Sequence, residues 1–307
     1  MEVRSGFAIS GATKGATEGA TSGNPEGDLK LYYEDMGDVD DPPVLLIMGL
    51  GAQLVLWRTE FCERLVRQGH RVIRYDNRDV GLSTWLDDAG EPDILGLLTG
   101  TETAPYSIAD MAADAAGLLD ALGLDRAHIV GVSMGGMIAQ AFAIDFPDRV
   151  TTLTSIMSTT GDPSVGQPSP EALAALVPTP PASRQEAVDQ GAAMWKVIGS
   201  PGFPFDEAAV RARAGAFYDR AFHPAGNTRQ FAAIATQPDR TAALGAVTAP
   251  TLVIHGADDP LVDPSGGEAT AAAVPGARLV LVPGMGHDMP EELTDRFVDE
   301  LTAHFTA

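Results

Sequence analysis

Short, wholly apolar stretches alternating with amphipathic ones predict an α/β fold, a mostly parallel central sheet with helices on both faces and an inserted helical lid. Three observations carry that prediction. Residues 43–157 read strand, helix, strand, helix, strand, helix, strand; residues 159–246 read as a Pro-, Ser- and Gly-rich stretch followed by helices only; and the strand–helix alternation resumes at Pro250. Residues 159–246 are therefore expected to interrupt a single core made of residues 29–158 and 247–307, with residues 1–28 adding an N-terminal strand and a flexible tract. Because open α/β sheets hold ligands beyond the carboxyl ends of their strands, the insertion is expected over that edge.

The elements follow in chain order. Residues 2–9 and 29–35 read as strands of a hairpin, separated by three Gly-Ala-Thr repeats in residues 11–23, a composition too small and Gly-rich to offset the entropy of ordering it. Residues 44–48 are an apolar strand ending in Gly49-Leu50-Gly51. A helix over 57–68, with Trp57, Phe61 and Leu65 on one face, closes at Gly69. Strand 71–75 ends at Asp76, and its following loop, 76–83, contains Arg78 and Asp79 as candidates for a buried network and Gly81 for a tight turn. Ser107 and Asp110 fit a capping box for a helix whose Met111, Ala115, Leu118, Leu119 and Leu122 share a face. Strand 127–132, helix 134–146 and strand 150–157 complete the first part. The insertion carries helices over 183–198, where Ser183 and Glu186 repeat the capping-box spacing, 206–222 and 228–236. Strand 251–255, a helix opened by Asp263 as N-cap and Pro264, strand 277–282 and a helix over 291–305 end the chain.

The composition, 45% hydrophobic and 20% charged over 307 residues, suits a chain with a large core. Forty-two acids against 20 bases give a net charge of −22, which repels nucleic acid and anionic membranes, so a small-molecule substrate is expected instead. The lone cysteine, Cys62, forms no internal disulfide; with no apolar leader in the first residues, the expected location is the cytoplasm. Gly49-Leu50-Gly51 and Gly284-Met285-Gly286 have Leu54 and Met289 where a dinucleotide fingerprint needs its third glycine. None of Lys14, Lys30 or Lys196 is followed by the Ser or Thr of a phosphate loop, so no cofactor is expected. The absence of ligand-spaced His and Cys argues for no metal. Nothing in the residues sets the oligomeric state.

Chemistry enters at Gly131-Val132-Ser133-Met134-Gly135-Gly136, where a buried strand runs directly into a helix. A serine on so tight a turn takes a strained backbone conformation, and the residues two before and two after it must be small; Gly131 and Gly135 are. The turn lifts the hydroxyl off the sheet, toward the first amides of the helix. A serine nucleophile needs a base and an orienting acid. Asp258 and Asp259 lie just past one strand end, and His287 lies in the Gly-rich loop past the next, so all three functions fall at one sheet edge. Of the other histidines, His70, His128, His223, His255 and His304 read as capping, packing or surface residues. Backbone N–H groups of Met134 and Leu50 are the candidate oxyanion donors. Among the aromatic residues of the insertion, Trp195, Phe203, Phe205, Phe217, Tyr218 and Phe222 suggest a largely apolar site, with Trp195, Phe217 and Tyr218 singled out to contact substrate.

The blocks Leu46-Ile47-Met48-Gly49-Leu50-Gly51, Val72 through Ser83 and Pro283-Gly284-Met285-Gly286-His287 resemble the α/β-hydrolase fold family, in particular the serine-esterase branch that contains aclacinomycin methylesterase. The resemblance spans about residues 29–305 apart from the insertion. It implies ester cleavage by a Ser133–His287–Asp259 triad without a cofactor. Asp259 is favoured over Asp258 because the family's acid stands third after the strand-ending glycine, here Gly256. Met48 departs from the many family members with His before the oxyanion-loop glycine, a departure that this branch shares. The same triad also serves lactone opening, amide or C–C cleavage and cofactor-free perhydrolysis. A non-catalytic, hydrolase-like ligand-binding protein is the reading from another class.

Overall fold

The computed structural model describes residues 2–10, 29–176 and 180–307. Strands β1 (Val3–Ser10), β2 (Leu29–Met36), β3 (Pro43–Ile47), β4 (Arg71–Tyr75), β5 (Ala127–Val132), β6 (Val150–Ile156), β7 (Thr251–Gly256) and β8 (Arg278–Val282) form one sheet. Their spatial order is β1-β2-β4-β3-β5-β6-β7-β8. The hairpin of β1 and β2 is antiparallel, as is β2 on β4, and every other pairing is parallel. The Gly-Ala-Thr tract between β1 and β2 lies outside the described residues.

Period-two alternation divides the core between the two faces. Leu45 and Ile47 of β3 join Ile129 and Leu153 on one face, against helices α3 (Ile108–Ala121) and α4 (Met134–Asp145). Their neighbours Val44 and Leu46 face the other way, with Val72, Val130 and Ile254. There they meet Phe61 and Leu65 of α1 (Thr59–Arg67) and Phe297 and Leu301 of α11 (Thr294–Phe305). Helix α10 (Ser265–Ala273) fills the β7–β8 crossover, and the short α2 (Ile94–Thr99) precedes α3. Among the described residues, no helix is long and apolar enough to cross a membrane.

Between β6 and β7 lie α5 (Pro170–Leu176), α6 (Arg184–Ile198), α7 (Glu207–Arg220), α8 (Pro224–Ala235) and α9 (Thr241–Leu244). Helix α5 corrects the reading of its stretch as loop. Ser169 caps it, accepting the Ala172 N–H at 3.1 Å, and Pro170 occupies the first helical position, where its missing N–H costs nothing. The two expected capping boxes differ. Ser107 and Asp110 exchange both bonds, at 2.8 and 3.1 Å. Ser183 accepts the Glu186 N–H, but the Glu186 carboxylate takes the amide of Ala182 instead, so only half of that box forms. The α10 start is also shifted: Pro264 is the cap, and Asp263 accepts the Ser265 N–H from one residue earlier.

The loop after β4 is tied in both directions by buried ion pairs. Arg78 Nε donates to Asp114 of α3 at 2.6 Å, while Asp79 receives a fork from Arg229 of α8 at 2.8 and 2.9 Å. Gly81 (φ +59°) is required there, because a Cβ would drive into the Asp76 carboxylate. Truncating one partner of such a buried pair typically costs about 3–5 kcal/mol, so the loop and α8 are held as one body with the core.

At the amino-terminal edge of the sheet, His128 is buried beside His70 and His304, its Nδ1 paired with Thr152 Oγ1 at 2.9 Å. Burial, with repulsion from His70 next, lowers its pKa from 6.5 to about 4. An unfolded chain would take up that proton near pH 6.5 while the native one does not, so the contribution to stability is complete above that pH and is lost as pH falls toward 4. Urea titrations across that interval should show a shallower pH dependence for His128→Asn than for the unmodified chain; equal slopes would contradict this reading.

Candidate active site

Every part of the site hangs from the crossing of β5, α4 and the loop after β3. Ser133, between β5 and α4, has φ 57° and ψ −121°, a conformation that L residues rarely adopt. Close backbone approach explains both flanking glycines: a Cβ on Gly131 would enter the Gly135 carbonyl, and one on Gly135 would enter that of Ile47. The strained residue is held by its N–H, which donates to Ile156 O at 2.9 Å, and by its carbonyl, which accepts Ser158 Oγ at 2.8 Å. Among the described residues, the non-glycine positions with positive φ are Asp79, Ser133 and Met157, following β4, β5 and β6 at the carboxyl edge.

His287 Nε2 lies 2.9 Å from Ser133 Oγ, and its Nδ1 lies 2.7 Å from Asp259 Oδ2. The other carboxylate oxygen of Asp259 accepts the N–H groups of Leu261 and Val262, each at 2.9 Å. Burial opposes the Asp259 charge, yet the His287 ring and bonds from His255 and His287 hold its pKa well below the usual carboxylate range. With the carboxylate ionised, the Nδ1 proton stays on His287 and Nε2 is left to accept from the serine. Asp258 instead accepts the Gly284 N–H at 2.7 Å, bracing the loop that carries His287. His255, read from sequence as a capping, packing or surface residue, is fully buried behind this chain, 3.5 Å from Asp259 and 2.8 Å from the carbonyl of Val262.

The loop after β3 abuts the serine: a Cβ on Gly49 would lie 3.6 Å from Ser133 Oγ. Leu50 comes next, and among the described residues neither its N–H nor that of Met134 is engaged in a hydrogen bond, whereas the Gly51 N–H is taken by Gln230 Oε1 at 2.8 Å. Asn77 Nδ2 fixes the base of the same loop through Met48 O at 2.9 Å.

The inserted helices build much of this geometry. Gln230 of α8 also donates to Arg78 O, and Arg220 at the end of α7 bonds Asp76 and Gln53, each at 2.8 Å. At the end of α6, the Ile198 carbonyl accepts the His287 N–H at 2.7 Å, and just beyond it Ser200 Oγ accepts that of Gly286 at 2.9 Å while donating to Asp288. Burial raises the pKa of Asp288. These residues were not legible as site residues, because their partners are distant in the chain and no local motif marks them.

Between the insertion and the core lies a cavity of about 350 Å³, walled in part by Leu50, Trp195, Phe217, Tyr218, Phe222 and Phe231. Ser133 is not part of that wall; Leu50 is, and its neighbour Gly49 abuts Ser133. Two of the six aromatics grouped from sequence lie elsewhere: Phe203 packs against the core face of α1 and α11, and Phe205 is exposed. Both precede α7 in a loop, where no helical face directs them inward. Phe231 was not singled out, although it sits within a helix expected from sequence.

A family model of the alpha/beta hydrolase fold matches residues 42–292. Rhodomycin D methylesterase DnrP of Streptomyces peucetius is 32% identical, with 91% of this chain and 96% of that protein covered. A 2-hydroxy-6-oxononadienedioate/2-hydroxy-6-oxononatrienedioate hydrolase of Dechloromonas aromatica is 31% identical over 88% of each chain. The solved structure of 2-hydroxy-6-oxo-6-phenylhexa-2,4-dienoate hydrolase from a Rhodococcus strain superposes with a TM-score of 0.75, covering 100% of this chain and 99% of that one, at 20% identity, a likeness of fold.

The backbone crossing leaves no room at residue 135. Gly135→Ala should lower the unfolding free energy by about 3 kcal/mol, the upper end of the usual overpacking cost, since the clash is with main chain that cannot rotate away. An unchanged urea midpoint would contradict the close approach.

Proposed function

The chain belongs to the α/β-hydrolase fold family, and on that premise we propose that it is a serine hydrolase cleaving a carboxylic ester of a small to medium, largely apolar substrate through an acyl-enzyme. The observation that carries this reading is the continuous hydrogen-bonded chain from Ser133 Oγ through His287 to Asp259. Ser133 Oγ attacks the ester carbonyl as its proton passes to His287 Nε2. Asp259 stabilises the imidazolium without taking its proton. The oxyanion forms against the Leu50 and Met134 amides, where each donor is worth about 10²–10³ in rate. Collapse expels the alcohol with the proton from His287, and water, activated by the same ring, releases the acid.

Trp195, Phe217 and Tyr218 form the apolar wall that receives the substrate, and the inserted helices act as its cover. The methylesterase relative, nearly all of whose length is matched, supports ester over lactone, amide or C–C substrates. No cofactor is needed for any of these steps.

With purified protein and a series of p-nitrophenyl esters of rising acyl length, the unmodified chain should turn over. Ser133→Ala should lose on the order of 10⁴-fold or more in kcat while keeping its circular dichroism spectrum. Retained turnover in the folded variant would remove Ser133 from the chemistry, and no turnover by either protein on esters, lactones or amides would favour a ligand-binding role.

A further inference from the structure

The cavity wall is almost entirely uncharged, with one exception. Among the described residues that line it, Arg213 of α7 carries the single permanent charge; Tyr218 and His223 are the other titratable groups. A guanidinium in such a wall ordinarily has a carboxylate beside it, because leaving the charge without a partner forfeits hydration for nothing in return. Arg213 has none within ion-pair distance among the described residues. The acids near enough to act on it electrostatically are engaged elsewhere, Asp288 with Ser200 Oγ and Glu291 with Arg58 at 3.1 Å. Arg58, also nearby, is a like charge. The guanidinium's aromatic neighbour, Trp195, has its ring centroid 5.9 Å from Cζ, at the outer limit of a cation–π contact and a weak compensation. Burial correspondingly lowers the Arg213 pKa, although the group stays charged at neutral pH.

We propose that Arg213 selects the substrate: the ester taken into this cavity carries a carboxylate on its acyl or alcohol part, and the Arg213 fork receives that carboxylate while the apolar wall receives the rest. The proposal rests on the hydrolase reading above and adds the class of molecule to it. The net charge of −22 works against an anion at long range, so the preference arises on contact inside the cavity, where screening is weak. A bidentate, charge-assisted pair in such a site is worth about 10- to 100-fold in affinity or kcat/KM.

Two measurements test this. In the first, kcat/KM is compared for mono-p-nitrophenyl esters of dicarboxylic acids from glutarate to suberate against neutral p-nitrophenyl esters of matched length. The half-ester of the best-fitting length should be preferred by about 10- to 100-fold. In Arg213→Gln that ratio should fall at least about tenfold, and Arg213→Lys should restore part of it. In the second, calorimetric titration of monomethyl against dimethyl dicarboxylates into the Ser133→Ala chain reads binding without turnover. The monoanion should bind more tightly to that chain, and the difference should vanish when Arg213→Gln is added. If no ester is cleaved but the binding difference appears, the hydrolase reading fails and the anion site stands. Equal handling of the charged and neutral ligands by the unmodified chain, or the same ratio in Arg213→Gln as in the unmodified chain, overturns the proposal. Should Arg213→Gln fail to fold, the comparison of ligands on the unmodified chain and on Arg213→Lys decides.

Discussion

At the junction of β5 and α4, three stretches of main chain approach so closely that side chains are excluded: Gly131 lies against the Gly135 carbonyl, and Gly135 against that of Ile47. This contact holds Ser133 at φ 57° and sets its hydroxyl at the carboxyl edge of the sheet. A relaxed serine in an ordinary turn would lie lower and could not meet a ring arriving from the loop after β8. The conformational strain, of order 1–3 kcal/mol for a non-glycine residue, is offset by the surrounding parallel pairs and the bonds to Ile156 and Ser158. Packing at the centre of the sheet is thus the source of the site's precision.

The inserted helices contribute more than a roof. Gln230 orders the Gly49–Gly51 turn, Arg220 and Arg229 reach the loop after β4, and the chain leaving α6 grips both sides of His287. The cavity and the Ser133–His287–Asp259 chain are therefore mechanically coupled: a shift of α8 moves the amide of Gly51, and a shift of α6 moves the imidazole. The loop that carries Asp76 and Asp79 is neutralised by arginines from the insertion, so removing the insertion would leave two buried carboxylates without a cationic partner, held by backbone amides. Against that tightly paired background, a cation in the cavity wall without a carboxylate of its own stands out.

Most of the core was legible because its signals are local. Apolar runs of strand length, a serine between two glycines at a strand-to-helix junction and an acid and a histidine just past successive strand ends can each be read within a dozen residues. The two carboxylates Asp258 and Asp259 are chemically alike at that range, and it is the fold that turns one to the His287 ring and the other to the Gly284 amide. Contacts of long sequence separation could not be read in this way. Gly51 and Gln230 are 179 residues apart, and Asp79 and Arg229 are 150 apart, with nothing in either segment announcing the other. Helix α5 was hidden by reading Pro and Ser as loop composition, when at Ser169-Pro170 they mark a helix start. Phe203 and Phe205 were grouped with the cavity aromatics on residue type alone, and only the path of the chain before α7 separates them.

The central claim is that the His287 ring, held by Asp259, makes the Ser133 hydroxyl a nucleophile. Its most direct measurement is the rate and position of modification by a fluorophosphonate, mapped by mass spectrometry on the intact chain and on His287→Ala. The account predicts one phosphonyl adduct, on Ser133, formed rapidly in the unmodified chain and strongly slowed in the variant. No adduct on Ser133, or equal rates with and without the imidazole, would contradict it.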